Sequence, residues 1–291
     1  MRPVIVFLLA CVGIIVLGAI LAGPVYELFP EVRFSRVASR TTLLLGLPAS
    51  LFYLAWQANL SLGALGYETG QRNKAIEFCN GFVLGLALLM LIELSLLGLG
   101  VHAPDSRFDL TLVNLGMVLL KGLSAGLVVA LIEETIFRGA LYGGLRANSG
   151  AASTILAVSL VYAAVHYLKY PELRPQTVVG WSTGPAYLPQ ALGQFSQPVY
   201  YDAMLTLFIL GCLFGILRHF SGSIISCIGL HTAIVMLNKT VSKTTDYVAT
   251  SEYGWLANPY QTTQGYVASF WLLVFCVACY LYAKRHARRT L

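Results

Sequence analysis

The chain has 291 residues, 57% of them hydrophobic and only 11% charged, with a formal net charge of +6. Soluble globular domains carry roughly 25% charged residues, so an ordinary soluble domain is excluded, and a chain this apolar is not disordered either. Part of the basic excess (Lys284, Arg285, Arg288 and Arg289) sits at the C-terminus, where it reads as a cytoplasmic tail beside anionic lipid rather than as a nucleic-acid surface.

A helix needs about 20 apolar residues to cross the hydrocarbon of a bilayer. In chain order, stretches with no charge or one charge predict eight transmembrane helices: 3–26, 41–67, 78–104, 110–132, 147–168, 203–217, 219–238 and 253–283. The first has an apolar run longer than the about 7–15 residues of a signal peptide core and reads as a retained helix. Between the first two, Glu27 to Arg40 mixes Arg33, Arg36 and Arg40 with Phe29, Val32, Phe34 and Val37 and reads as an amphipathic surface stretch. The run 175–201 is uncharged as well, but Pro175, Pro185, Pro189 and Pro198 make it a loop, anchored at the interface by Trp181, Tyr187, Tyr200 and Tyr201. The six cysteines all fall in apolar stretches and read as small packing residues. The expected fold is all-α: a polytopic membrane protein of about eight transmembrane helices with a catalytic core of helices four to seven. Residues 1–109 hold the first three helices, 110–238 the core, and 239–291 the last helix and the basic tail. An even number of crossings puts both termini on one side, and the tail makes that side the cytoplasm.

Ionisable groups inside hydrocarbon are costly, and each is a functional hypothesis by default. The densest cluster ends the fourth span: Glu133, Glu134 and Arg138, with Phe137 and Gly139. On a helix Glu134 and Arg138 share a face and can pair, while Glu133 is rotated about 100° away. One carboxylate is then neutralised, and the other is left to face a cavity and take a proton. Taken alone, the cluster also fits a charged helix end among lipid headgroups. His166 ends the fifth span one turn after Tyr162, and His231 lies within the seventh. Either ring alone also fits a structural hydrogen bond. Measured from the turns near 147–149 and 221–223, Glu133 lies about 20 Å deep, His166 about 24 Å and His231 about 14 Å, depths compatible with one site. A carboxylate and two imidazoles can bind a divalent metal, or the carboxylate can deprotonate water while an imidazole serves an oxyanion. No H-E-x-x-H occurs, and no carboxylate is evident to orient either imidazole, so metal-free hydrolysis is the preferred expectation. Glu93 and Lys121, on neighbouring spans, read as an ion pair; His102, His219 and His286 read as solvated.

These residues resemble the CPBP family of intramembrane endopeptidases, which includes the CAAX prenyl proteases and bacteriocin-processing and immunity proteins. Its E-E-x-x-x-R motif is matched by Glu133, Glu134 and Arg138. Its F-x-x-x-H is matched by Tyr162 to His166, and its H-x-x-x-N/D at His231 only, because Val235 occupies the fourth place. The resemblance covers residues 110–238. It implies a glutamic-type, metal-free membrane protease. Glu133 would be the general base, His166 its assistant, His231 part of the oxyanion site, and Glu134 and Arg138 supports. Asn238, seven after His231, is about 10.5 Å further along the helix, too far to replace the missing Asn or Asp. No cofactor or metal is expected. The expected partners are the bilayer and a peptide or membrane-protein substrate, lipidated or not, with no nucleic acid. The expected place is a bacterial inner membrane. Val235 also admits a catalytically silent scaffold or immunity protein, and the buried charges with the proline-rich loop admit a small transporter.

Overall fold

A helix satisfies its backbone polar groups internally, which is what hydrocarbon demands of any spanning segment. In the computed structural model, which describes residues 2–58, 60–68, 70, 72–168, 170–173, 177–261 and 263–287, the apolar runs accordingly form helices. They are α1 (Arg2–Leu28), α2 (Phe34–Gln57), the single turn α3 (Leu62–Leu65), α4 (Lys74–Gly98) and α5 (Leu112–Glu134). A widened π turn (Thr135–Leu141) and α6 (Tyr142–Arg146) continue α5, followed by α7 (Ala151–Tyr167), α8 (Thr183–Gly193), α9 (Tyr201–Ser221), α10 (Ile225–Thr244) and α11 (Tyr266–Ala287). A small antiparallel pair, β1 (His102–Pro104) with β2 (Thr245–Tyr247), ties the end of α4 to the end of α10. Pro175, Arg288 and Arg289 lie outside the described residues.

Seven helical stretches among the described residues are long and apolar enough to cross a membrane, and the chain is an integral multi-pass protein. The expected fifth span is α7, which at 17 residues is shorter than the others. It reaches only about 26 Å at 1.5 Å per residue, short of the about 30 Å of hydrocarbon.

Lipid supplies no hydrophobic drive to pack helices, so close backbone contact has to hold them together. Helix α10 lies between α4 and α5, and both neighbours present a G-x-x-x-G pair to it. A Cβ added at Gly81 of α4 would lie 1.9 Å from the carbonyl oxygen of Ser226, and one at Gly85 2.6 Å from that of Leu230. On α5, a Cβ at Gly126 would lie 2.7 Å from the carbonyl oxygen of Thr232. A third pair, Gly211 and Gly215 of α9, meets Ser159 and Ile155 of α7. Two helices that carry a histidine of the predicted cluster, α7 and α10, are thus seated by glycines.

Several expectations are corrected. The second span begins earlier than 41: α2 starts at Phe34, and its first turns keep the amphipathic character expected there, with Phe34, Val37 and Ala38 buried and Arg36 and Arg40 exposed. It also ends at Gln57, and the rest of the apolar run folds as α3, started by the Ser61 side chain accepting from the Ala64 amide and stopped by Gly66 at φ 84°. The proline-rich run is not all loop. Pro185 sits in the first turn of α8, where no amide is needed, and α8 packs on α1 with Gly184 against Ala19. Glu93 does not pair with Lys121, which is exposed; its carboxylate meets Nδ1 of His102 at 2.9 Å, and His102 is buried rather than solvated.

The glycine seating predicts opposite signs for one substitution at two places. Gly81→Ala should lower the thermal midpoint in detergent, at a cost of about 1–3 kcal/mol, because backbone faces the new methyl. Gly116→Ala, with nothing within 4 Å, should leave the midpoint unchanged or raise it. Equal effects in thermal unfolding would refute the packing argument.

Candidate active site

The site forms where α5 changes pitch. Glu133 and Glu134 end the regular helix, and the chain then widens into the π turn that carries Arg138. Such turns are uncommon and expose backbone carbonyls that a regular helix would use. Here the exposed group is the Arg138 carbonyl, which accepts from Arg218 Nε of α9 at 3.0 Å. Arg218 also donates from Nη2 to the Ala64 carbonyl at 3.0 Å, and from Nη1 to that of Gly222. This buried guanidinium therefore ties α3, α9 and the π turn together. Gly66 makes room for it: a Cβ there would lie 2.7 Å from Arg218 Cζ. From the other side, the Tyr67 hydroxyl is 2.5 Å from Thr135 Oγ1, which in turn donates to the Leu131 carbonyl.

The two carboxylates part company at this junction. Glu134 is fully buried, and its Oε1 accepts from Arg138 Nη1 at 3.2 Å and lies 2.7 Å from His231 Nδ1. Arg138 in turn lies between the Tyr162 and Phe214 rings, 4.3 Å from each centroid. Such desolvated cation–π contacts stabilise by about 2 kcal/mol. Glu133 points elsewhere. Its Oε2 makes no hydrogen bond with any described residue and lies 3.6 Å from His166 Nε2 and 3.9 Å from His231 Nε2. Both rings are oriented from behind. His166 Nδ1 lies 2.8 Å from the Tyr162 carbonyl, to which it donates, and the Tyr162 ring sits 4.3 Å from the imidazole. His231 is held through Nδ1 by Glu134 and by Phe214, whose ring is 5.4 Å away.

Glu133 and His166 line a cavity of about 320 Å³ between α1, α2, the π turn and α7. Its other walls are mostly apolar, with Ile14, Leu43, Phe137 and Val165 among them. His231 is buried and not part of that wall; both its nitrogens face carboxylates.

The structure thus brings Glu133, Glu134, Arg138, His166 and His231 together. It does not bring Asn238: the amide oxygen accepts from Thr263 at 2.8 Å. Val235 adds no polar atom, and its Cβ is 3.3 Å from where a Cβ of Gly126 would stand. Sequence reasoning missed Tyr67, Arg218 and the orienting partners of both rings. A carboxylate, Glu134, does orient His231, against the expectation that neither imidazole has one, while His166 is oriented by the Tyr162 carbonyl; the absence of an H-E-x-x-H stands. Among the described residues no group of three His, Cys, Asp or Glu side chains is placed to hold a metal ion.

Arg218 should be a positioning residue rather than a reacting one. Arg218→Gln leaves carbonyls unmatched and should cost about 3 kcal/mol of stability, while Arg218→Lys should recover part of it. Chemical denaturation of the purified protein reads both; a neutral Arg218→Gln would refute the clasp.

Residues 115–237 match the family model described as type II CAAX prenyl endopeptidase Rce1-like. No curated protein matches the chain. The matched stretch runs from the second turn of α5 nearly to the end of α10 and contains Glu133, Glu134, Arg138, His166 and His231. That stretch is similar to the Rce1-like type II CAAX prenyl endopeptidases, within the family that the motifs of the sequence resemble.

Proposed function

We propose that this protein is an intramembrane endopeptidase in which Glu133 activates a water molecule for attack on a peptide bond, without a metal ion. The observation that carries the reading is the environment of Glu133 Oε2. It has no hydrogen bond with any described residue, it faces Nε2 of both histidines, and its residue borders the cavity. At 3.6 Å, Oε2 and His166 Nε2 are close enough for one water to bond both at about 2.8 Å. Glu133 would take the water's proton as the oxygen attacks the carbonyl carbon, and that proton would pass to the leaving amine. His166, fixed through Nδ1, would hold the water by Nε2. His231 takes a positioning role: it spans Glu133 and Glu134 from behind rather than facing a substrate carbonyl. Glu134 and Arg138 fix that arrangement.

A peptide substrate and a membrane setting follow from the family. The apolar cavity suits an apolar peptide or the end of a membrane-protein segment, with or without a lipid. Residues 110–238 would be the working core, with both termini on the cytoplasmic side of a bacterial inner membrane. A second reading, a silent scaffold of the same fold, draws on Val235 and on the retreat of His231 from the cavity wall.

Peptidomics of membranes with and without the protein supplies the cleavage assay. Glu133→Gln and His166→Ala should each lower kcat by about 10²–10⁴ while the thermal midpoint stays near wild type. Unchanged cleavage removes Glu133 as the base; a cellular phenotype that survives both substitutions supports the scaffold.

The metal question has its own test. Activity should persist in excess chelator. Loss on chelation that zinc restores would transfer the site to a metal ion held by Glu133, His166 and His231.

A further inference from the structure

The cavity that Glu133 and His166 border has a cation in its wall. Arg40 lines it from the second turn of α2, about 9 Å in from the start of that helix. Other arginines near the site are engaged: Arg138 by Glu134, and Arg218 by backbone carbonyls. Arg33, earlier on the same chain segment, meets Glu172 at 3.3 Å. Arg40 is exposed and makes no ion pair or hydrogen bond with any described residue. Its polar neighbours on the wall do not compete for an anion, because Ser39 and Thr42 donate their hydroxyls back to their own helix, to the carbonyls of Ser35 and Ala38. A guanidinium at the rim of an apolar cavity, with none of its donors used by a described residue, is available to an anionic ligand group. Glu133 repels the same group, so the anion belongs at the Arg40 end with the apolar body running past Leu43 and Val165 toward Glu133.

We infer that Arg40 anchors the substrate: its guanidinium takes a carboxylate of the peptide lying in the cavity and thereby sets which bond reaches Glu133. The inference rests on the cavity being the substrate site proposed above. A planar guanidinium suits a carboxylate through two parallel hydrogen bonds, which a lysine ammonium cannot reproduce. The carboxylate belongs either to the free C-terminus of the peptide or to an Asp or Glu side chain.

The test measures binding as well as turnover. The full-length protein is placed in phosphatidylcholine nanodiscs. Three fluorescently labelled leucine-rich hexapeptides are compared: one with a free C-terminal carboxylate, its C-terminal amide, and the amide with one internal glutamate. Fluorescence anisotropy should give the free acid, the glutamate peptide, or both an advantage of about tenfold over the plain amide. Arg40→Gln should erase that advantage, and Arg40→Lys should restore only part of it. Which of the two acidic peptides binds more tightly tells the C-terminus from the side chain. Where a peptide is cleaved, Arg40→Gln should raise KM and leave kcat within a few fold, whereas Glu133→Gln removes turnover and keeps the binding preference. A failure of the protease reading thus shows as absent turnover with Arg40-dependent binding intact. Equal binding of all three peptides overturns the inference, as does an acid preference that survives Arg40→Gln. Arg40-dependent binding of fluorescent phosphatidylglycerol with no peptide preference overturns it in favour of a lipid.

Discussion

Two carboxylates sit side by side in a membrane helix, and the protein neutralises only one of them. Burying an unpaired charge in hydrocarbon is costly enough that most membrane helices avoid it. Glu134 meets that cost with Arg138 and His231 at once, and the Tyr162 and Phe214 rings shield the arginine in turn. Glu133 is left with two imidazole nitrogens at 3.6 and 3.9 Å and a cavity in front of it. The difference between the neighbours comes from helix geometry: adjacent side chains diverge by about 100°, so the core satisfies one while the other is turned toward the cavity.

This division holds only if three helices stay in register. The backbone of α10 is pressed against α4 and α5 through glycines, which fixes the height of His231 against Glu134. The α7 helix is seated on α9 by Gly211 and Gly215, which fixes His166. The π turn between them is held by Arg218 of α9 and by Tyr67 just after α3. Close backbone contacts at glycines and a π turn tied by long polar side chains are complementary. The first sets where the helices are, and the second sets how Glu133 leaves its own helix.

Much of this was legible in the sequence because it depends on local spacing. Charge-free runs located the helices, and the interval from Glu134 to Arg138 announced their pairing. The parts that escaped depend on distant partners. Nothing local to His102 marks it as buried, because its partner Glu93 is brought to it by the turn after α4. Arg218 looks like a charge at a helix end until α3 folds back beneath it. The second span starts before the last of its arginines because an amphipathic turn exposes Arg36 and Arg40 while it buries Phe34, Val37 and Ala38. The glycine pairs were visible as G-x-x-x-G on α4, α5 and α9, a signal that was there to be read.

The two histidines stand in different relations to the cavity, and that bears on Val235. A family pattern with a polar residue one turn after the third-motif histidine implies that this face of α10 looks toward substrate. In this chain the face looks toward α5: Val235 stands beside Gly126, and His231 is held through Nδ1 by Glu134 while its Nε2 lies 3.9 Å from Glu133. Val235 is half-buried, so a polar side chain there would lose part of its solvation against α5. Valine at that place is therefore consistent with the rest of the helix rather than an isolated loss. The groups proposed to meet a substrate, Glu133, His166 and Arg40, instead border one cavity that α10 does not line.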